Sequence, residues 1–222
     1  MMSQDFSVQP PRIATWLIGL FTSDNEAEAI PGDLLEEFSH LASKSGVAIA
    51  RRWYWRQTGK TITHLAGGAF RSAPWFMAAV VVGGFLLHGF LHALPGKVLS
   101  EVTDRYLAFW SSHFQAYMWV LNGMMIAHLM ASLLVGCMVA LAAKGREMVA
   151  TVTLALVYCG MGGVALVGAA LVWVATDRPM NVTWLLWAGW DPFAIIVGGL
   201  IVRTCRAQGR DSLPKPLGMT GV

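Results

Sequence analysis

Charge is what this chain has least of. Asp, Glu, Lys and Arg make up 13% of its 222 residues and hydrophobic residues 55%, against a charged share of about 25% in soluble globular domains. That leaves too little polar surface to cover a soluble fold. Cysteine is scarce as well. Cys137, Cys159 and Cys205 form no CxxC pair and no ligand spacing, which excludes a disulfide framework and a thiolate metal site, so they read as small apolar packing residues. A phosphate loop of the GxxxxGK[ST] type, a serine elbow, HExxH and acidic pairs at acid–base spacing are all missing, so the sequence gives no support for an enzyme. No secretory signal is legible either. The early apolar run 16–21 is short and is followed by Asp24, Glu26 and Glu28, so the N-terminus is expected to stay in the mature protein.

What the chain does have is long uncharged windows at 72–96, 114–143, 148–176 and 179–202, the last broken only by Asp191. Each reaches the length of about 20 residues that a bilayer requires. They predict spans over 74–95, 115–142, 149–175 and 183–203. The expected fold is all-α: an integral membrane four-helix bundle (73–204) behind a small helical cytoplasmic domain (1–72), with a cytoplasmic tail over 205–222.

Orientation follows from Lys and Arg, which are retained on the cytoplasmic side. Thirteen of them fall before the first window, between the second and third, or after the fourth, while only Lys97, Arg105 and Arg178 fall on the other side. Both termini are therefore expected in the cytoplasm, in a bacterial inner membrane. Trp110, Trp119, Trp173, Trp184, Trp187 and Trp190 lie near the outward ends, as interfacial indoles do, and Trp75 marks the inner boundary of the first span.

In front of the spans, Pro10 and Pro11 precede a helix expected over 12–21, with Ile13, Trp16, Leu17 and Leu20 on one side. Ser23 and Glu26 have capping-box spacing, Leu34, Phe38 and Leu41 form the next stripe, Asp33, Glu36 and Glu37 suit a helix start, and Gly46 suits a helix end. A third helix is expected from Val47, with Gly67 and Gly68 as a flexible joint into the first span. It carries Arg51, Arg52, Trp53, Tyr54, Trp55 and Arg56, a mixture that fits an anionic membrane surface or a partner contact. The competing assignment uses Trp53 and Trp55 to close the domain core. Seven basic residues here are balanced by seven acidic ones, which argues against nucleic acid as a partner.

Three motifs in order, Pro10-Pro11-Arg12, Gly32-Asp33-Leu34-Leu35-Glu36-Glu37-Phe38 and Ala50-Arg51-Arg52-Trp53-Tyr54-Trp55-Arg56-Gln57, give the stretch 10–62 its resemblance to the permease prefix domain. That domain precedes the permease part of some bacterial ABC transporters of the macrolide-exporter and lipoprotein-release type. Such permeases carry a large extracytoplasmic domain after their first span, whereas the loop expected here over 95–113 is far too short to be one. The resemblance thus implies a prefix domain joined to a different four-helix membrane part, without transport by the ABC mechanism.

Ionisable and strongly polar residues are costly inside a membrane, which singles out His88, His92, Asn122, His128 and Asp191. Counted from the outer window ends, His88, Asn122 and Asp191 come out about 10 Å deep, and with His128 they are the candidate intramembrane cluster. A structural role is the simpler assignment, with Asp191-Pro192 opening a kink and the others bonding between helices. His88 and His92 share a helix face as metal or haem ligands do, with His113 or His128 as complements. The depths differ, however, so no metal and no cofactor is expected. In the third window Gly160, Gly162, Gly163 and Gly168 suggest close helix packing, within the bundle or between copies, as do Gly83-Gly84 and Gly198-Gly199.

The leading expectation is a non-catalytic accessory or regulatory inner-membrane protein, its prefix-like domain binding a partner such as a permease complex, with lipid and a second copy as further contacts. The alternative is a membrane carrier of a small ligand or cofactor using the intramembrane His, Asn and Asp.

Overall fold

The computed structural model describes residues 9–22, 29–105, 113–176 and 189–211. Among the described residues all regular structure is helical: α1 (Arg12–Phe21), α2 (Ala29–Ser45), α3 (Val47–Ser72), α4 (Pro74–Arg105), α5 (Phe114–Ala142), α6 (Glu147–Thr176) and α7 (Trp190–Asp211). They divide into two compact units, Met1–Met77 and Ala78–Val222. The division falls within the first turn of α4, slightly beyond the boundary expected after residue 72.

The first unit buries Ala14 and Ile18 of α1, Leu34 and Phe38 of α2, and Ala50 and Tyr54 of α3. Phe38 meets Tyr54 edge to face, centroids 5.6 Å apart, and the Tyr54 hydroxyl bonds Thr15 Oγ1 at 3.0 Å. A large aromatic residue is thereby fully buried without an orphaned hydroxyl. The α1 boundaries match the helical spacing of its apolar residues. Gly46 ends α2 at φ 90, a left-handed conformation that glycine adopts without a Cβ penalty, and its N–H donates to the Ala42 carbonyl at 3.1 Å. The Ser23–Glu26 capping box lies outside the described residues.

The expected joint at Gly67 and Gly68 is not a joint, because α3 runs through both glycines to Ser72. Glycine inside a helix costs only about 1 kcal/mol, and the residues on either side continue the helix. The break falls at Ala73, with φ -153 and ψ 65, because it precedes Pro74 and a residue before proline is pushed out of the α region.

In the second unit three helices are long and apolar enough to cross a membrane, over Pro74–Leu94, Met118–Ala142 and Glu147–Val172. The fourth expected span, 183–203, lies partly outside the described residues. Its described part is the start of α7, a helix that carries Asp191, Arg203 and Arg206 and is not among those three. The expected loop after the first span is also corrected, since α4 continues past Leu94 to Arg105. Lys97, Glu101 and Arg105 stand at successive four-residue intervals on this extension, the spacing at which opposite charges support a helix beyond its apolar part.

Close glycine contacts set the packing. A Cβ on Gly136 of α5 would fall on the Ile195 peptide of α7, and one on Gly198 would fall on the Leu133 carbonyl. α5 and α7 therefore touch backbone to backbone, and because Ser132 meets Asp191 at one end and Leu141 meets Arg206 at the other, they run in the same direction. α6 lies against α7 in the opposite sense, with Thr151 beside Gly199. α4 enters through Gly84, which faces Val139 of α5 and Leu154 of α6. The expectation for the third window changes accordingly: a Cβ at Gly160, Gly162, Gly163 or Gly168 would meet nothing within 4 Å, so these glycines form no close contact within the chain. Gly84, Gly198 and Gly199 do, and Gly83 does not.

One end of this unit is fastened by Glu147, whose side chain is 3% exposed. Its Oε1 accepts from Arg206 and its Oε2 lies 3.6 Å from Arg203 Nη1, while the Gly145 N–H donates to Oε1 at 3.0 Å. Gly145, at φ 82, makes the tight turn between α5 and α6. The carboxylate also stands in the first turn of α6, where the helix dipole favours an acid.

Candidate functional site

Polar side chains from α4, α5 and α7 converge on the Ser132 hydroxyl. It lies 3.0 Å from His88 Nε2, 3.2 Å from His92 Nε2, 2.8 Å from Asp191 Oδ1 and 3.0 Å from the His128 carbonyl. A serine hydroxyl has one proton to donate and two lone pairs. It therefore accepts from both imidazoles while the Asp191 carboxylate and the His128 carbonyl compete for its proton. This network assigns the Nε2–H tautomer to His88 and His92.

The rings form a stack. His88 lies on His92 with centroids 3.9 Å apart, and His92 lies on His128 at 4.4 Å. Tyr158 of α6 closes the other side of His88 at 4.2 Å, its own hydroxyl donating to the Phe85 carbonyl at 3.2 Å. His92 Nε2 and Asp191 Oδ1 are 3.8 Å apart, and their side chains are partly exposed. His88 is buried. His128 Nε2 is buried and has no hydrogen-bond partner among the described residues.

Local sequence accounts for each position. His88 and His92 stand one turn apart on α4, as do His128 and Ser132 on α5, so each pair shares a helix face. Asp191 lies in the first turn of α7, one turn before Ile195, whose peptide touches Gly136, itself one turn after Ser132. The glycine contact thus holds Asp191 opposite Ser132.

Of the residues expected in one cluster, the structure brings together His88, His128 and Asp191, with His92 among them. Asn122 is exposed on α5, about 9 Å along the helix from His128, and takes no part. Counting depth from the window ends separated His92 from His128, yet their rings touch. The count assumed helices that start level, whereas α4 extends past its apolar stretch to Arg105, so the window ends are not a common reference. Ser132 and Tyr158 carried only weak sequence signals, the former a single hydroxyl one turn from His128. His113 is exposed.

In the first unit, Arg51, Arg52, Trp55 and Arg56 are exposed and Trp53 packs half-buried against the core. Tyr54 points inward and reaches the surface only at the floor of a groove. Trp53, not Trp55, is the tryptophan that helps close the core. A groove of about 640 Å³ is lined by Pro10, Arg12, Trp16, Gly32, Leu35 and Tyr54, which draws on all three motif stretches. In the second unit, Leu91, Leu94, Val120, Met124 and Met130 line an apolar groove of about 790 Å³ between α4 and α5.

No family model, curated protein or solved structure matches the chain. The chemistry of the site rests on its geometry. Two imidazoles and a carboxylate offer donor atoms within 4.8 Å of one another, an arrangement suited to gripping a small polar or cationic species.

Proposed function

We propose that the chain is a four-span protein of the bacterial cytoplasmic membrane, with both termini inside, that binds a small polar ligand at the Ser132 cluster within the apolar layer. The Lys and Arg asymmetry supports the orientation. The parallel course of α5 and α7 supports a fourth crossing, since α7 lies along a helix that is itself long enough to span. The convergence of His88, His92 and Asp191 carries the functional part. One interhelical hydrogen bond in a membrane contributes about 0.6–2 kcal/mol, while a carboxylate placed there costs about 2.5–3.5 kcal/mol or more. Packing alone has no need of a carboxylate, three imidazoles and a hydroxyl in one place.

Carbethoxylation of the native protein by diethylpyrocarbonate, read by mass spectrometry, tests the reading. His92 is expected to react along with the exposed His40 and His64. Complete protection of His88, His92 and His128 while His40 and His64 react would show a sealed structural cluster and refute ligand access.

The meeting of three motif stretches around one groove supports a second role: the first unit, resembling a permease prefix domain, serves a non-catalytic accessory or regulatory function by docking a partner such as a permease complex. Affinity purification of the tagged full-length protein from native membranes is expected to retain a transporter or regulator subunit. Reversing the charge of Arg51, Arg52 and Arg56 is expected to lose it. Purification without any stoichiometric partner would end this second reading.

A further inference from the structure

We infer that the Ser132 cluster is a site for one divalent transition-metal ion, held by His88, His92 and the Asp191 carboxylate, with solvent as the fourth ligand. The inference rests on the proposed ligand-binding role and names the ligand.

The donor set selects the class of ion. Imidazole nitrogen with a single carboxylate suits zinc and its first-row neighbours, whereas calcium and magnesium require mainly oxygen ligands. No cysteine among the described residues belongs to the set.

The spacing fits as well. Bonds of about 2.0–2.2 Å in a tetrahedral shell place neighbouring ligand atoms about 3.3 Å apart. His92 Nε2 and Asp191 Oδ1 already stand at 3.8 Å, and His88 Nε2 lies within 4.8 Å of both. Small side-chain rotations close the remainder. The Ser132 proton has its alternative acceptor in place, the His128 carbonyl at 3.0 Å, so Asp191 can be released to a cation. Both imidazoles then take the Nδ1–H tautomer and present Nε2 lone pairs.

His128 supplies the independent observation. Its Nε2 is buried without a partner, a state that costs about 1–3 kcal/mol, and its ring lies against that of His92. A water held by a bound cation gives this nitrogen a partner. The cation also compensates the Asp191 carboxylate, which has three imidazoles and the Tyr158 ring around it.

The test uses the full-length protein, carried on a tag without histidine, stripped with chelator in mild detergent and titrated with Co²⁺. The expected result is one Co²⁺ per chain with the ligand-field absorption of a four-coordinate ion, displaced by Zn²⁺. His88→Gln and Asp191→Asn are each expected to weaken binding at least about 100-fold, beyond the range of 10–100-fold typical of outer-shell changes, and Asn122→Ala to leave it unchanged. Absence of saturable binding to the folded wild-type protein overturns the inference, as does binding indifferent to His88 and Asp191 in variants that keep the wild-type elution profile. Diethylpyrocarbonate separates this result from the broader reading. If His92 reacts but Co²⁺ does not bind, the metal falls and the ligand site stands; if neither occurs, both fall.

Discussion

Replacing Gly136 with alanine tests the packing and the site together. The added Cβ falls on the Ile195 peptide, where both surfaces are backbone and no side chain can rotate away, so α5 and α7 must separate. Overpacking costs about 1–3 kcal/mol, and the backbone contact places this substitution at the upper end. The gain of about 1 kcal/mol from replacing an interior glycine with alanine leaves a net loss of about 2 kcal/mol. At about 2–4 °C per kcal/mol for a chain of this size, Tm falls by roughly 4–8 °C, measured by tryptophan fluorescence in detergent. Gly163→Ala is the control, since its Cβ meets nothing within 4 Å, and it is expected to be neutral or slightly stabilising. The same separation draws Asp191 away from Ser132, now 2.8 Å apart, so His92 should carbethoxylate faster in Gly136→Ala. Equal stability of Gly136→Ala and wild type, or equal damage from Gly163→Ala, would refute the backbone contact.

Further outcomes are expected from other positions. Glu147→Ala leaves Arg203 and Arg206 without their shared carboxylate, and because Arg206 is 33% exposed the loss should lie at the lower end of the range for a broken buried pair, about 3 kcal/mol, seen in the same thermal scan. Tyr54→Phe removes the 3.0 Å bond to Thr15 and should cost about 0.5–1.5 kcal/mol, read in the same thermal scan. Asn122→Ala, at an exposed position outside the cluster, should leave both stability and His92 reactivity within error. A reporter active only in the cytoplasm, fused after Val222, should be active; activity from a reporter that works only outside would overturn the four-span orientation.

Much of the architecture was legible because it rests on composition and period. Uncharged windows located the helices that can cross a membrane, and the helical spacing of apolar residues located α1, although Ile13 and Trp16 of the expected stripe are exposed and Ala14, Ile18 and Leu20 form its buried face. Boundaries that depend on local competition were harder to read. Gly67 and Gly68 look like a joint, yet two small propensity losses do not end a helix, while the residue before Pro74 is sterically barred from continuing it. The charged residues after Leu94 look like a loop, but their four-residue spacing prolongs α4. Which glycines matter was not legible either. Gly160, Gly162, Gly163 and Gly168 form the more conspicuous stripe, but only the approach of another helix, as at Gly84, Gly136, Gly198 and Gly199, distinguishes a packing glycine from an open one.

The site shows why depth along a sequence is a poor guide to proximity within a membrane. His88, His92 and Asp191 were visible as costly residues, and His128 as a fourth; counting from the window ends put His88 and Asp191 level but separated His92 from His128. The three helices that bring them together are set by contacts in which polarity plays no part. Gly136 lets α7 approach until Asp191 faces Ser132, and Gly84 lets α4 approach α5 and α6 one turn from His88. His88 and Ser132 each lie one helical turn from a glycine that admits a neighbouring helix. The close packing and the polar cluster are thus one device, in which absent side chains determine where the histidines and the carboxylate meet. For this reason a substitution that adds a single methyl group at Gly136 is expected to disturb the chemistry of residues it never touches.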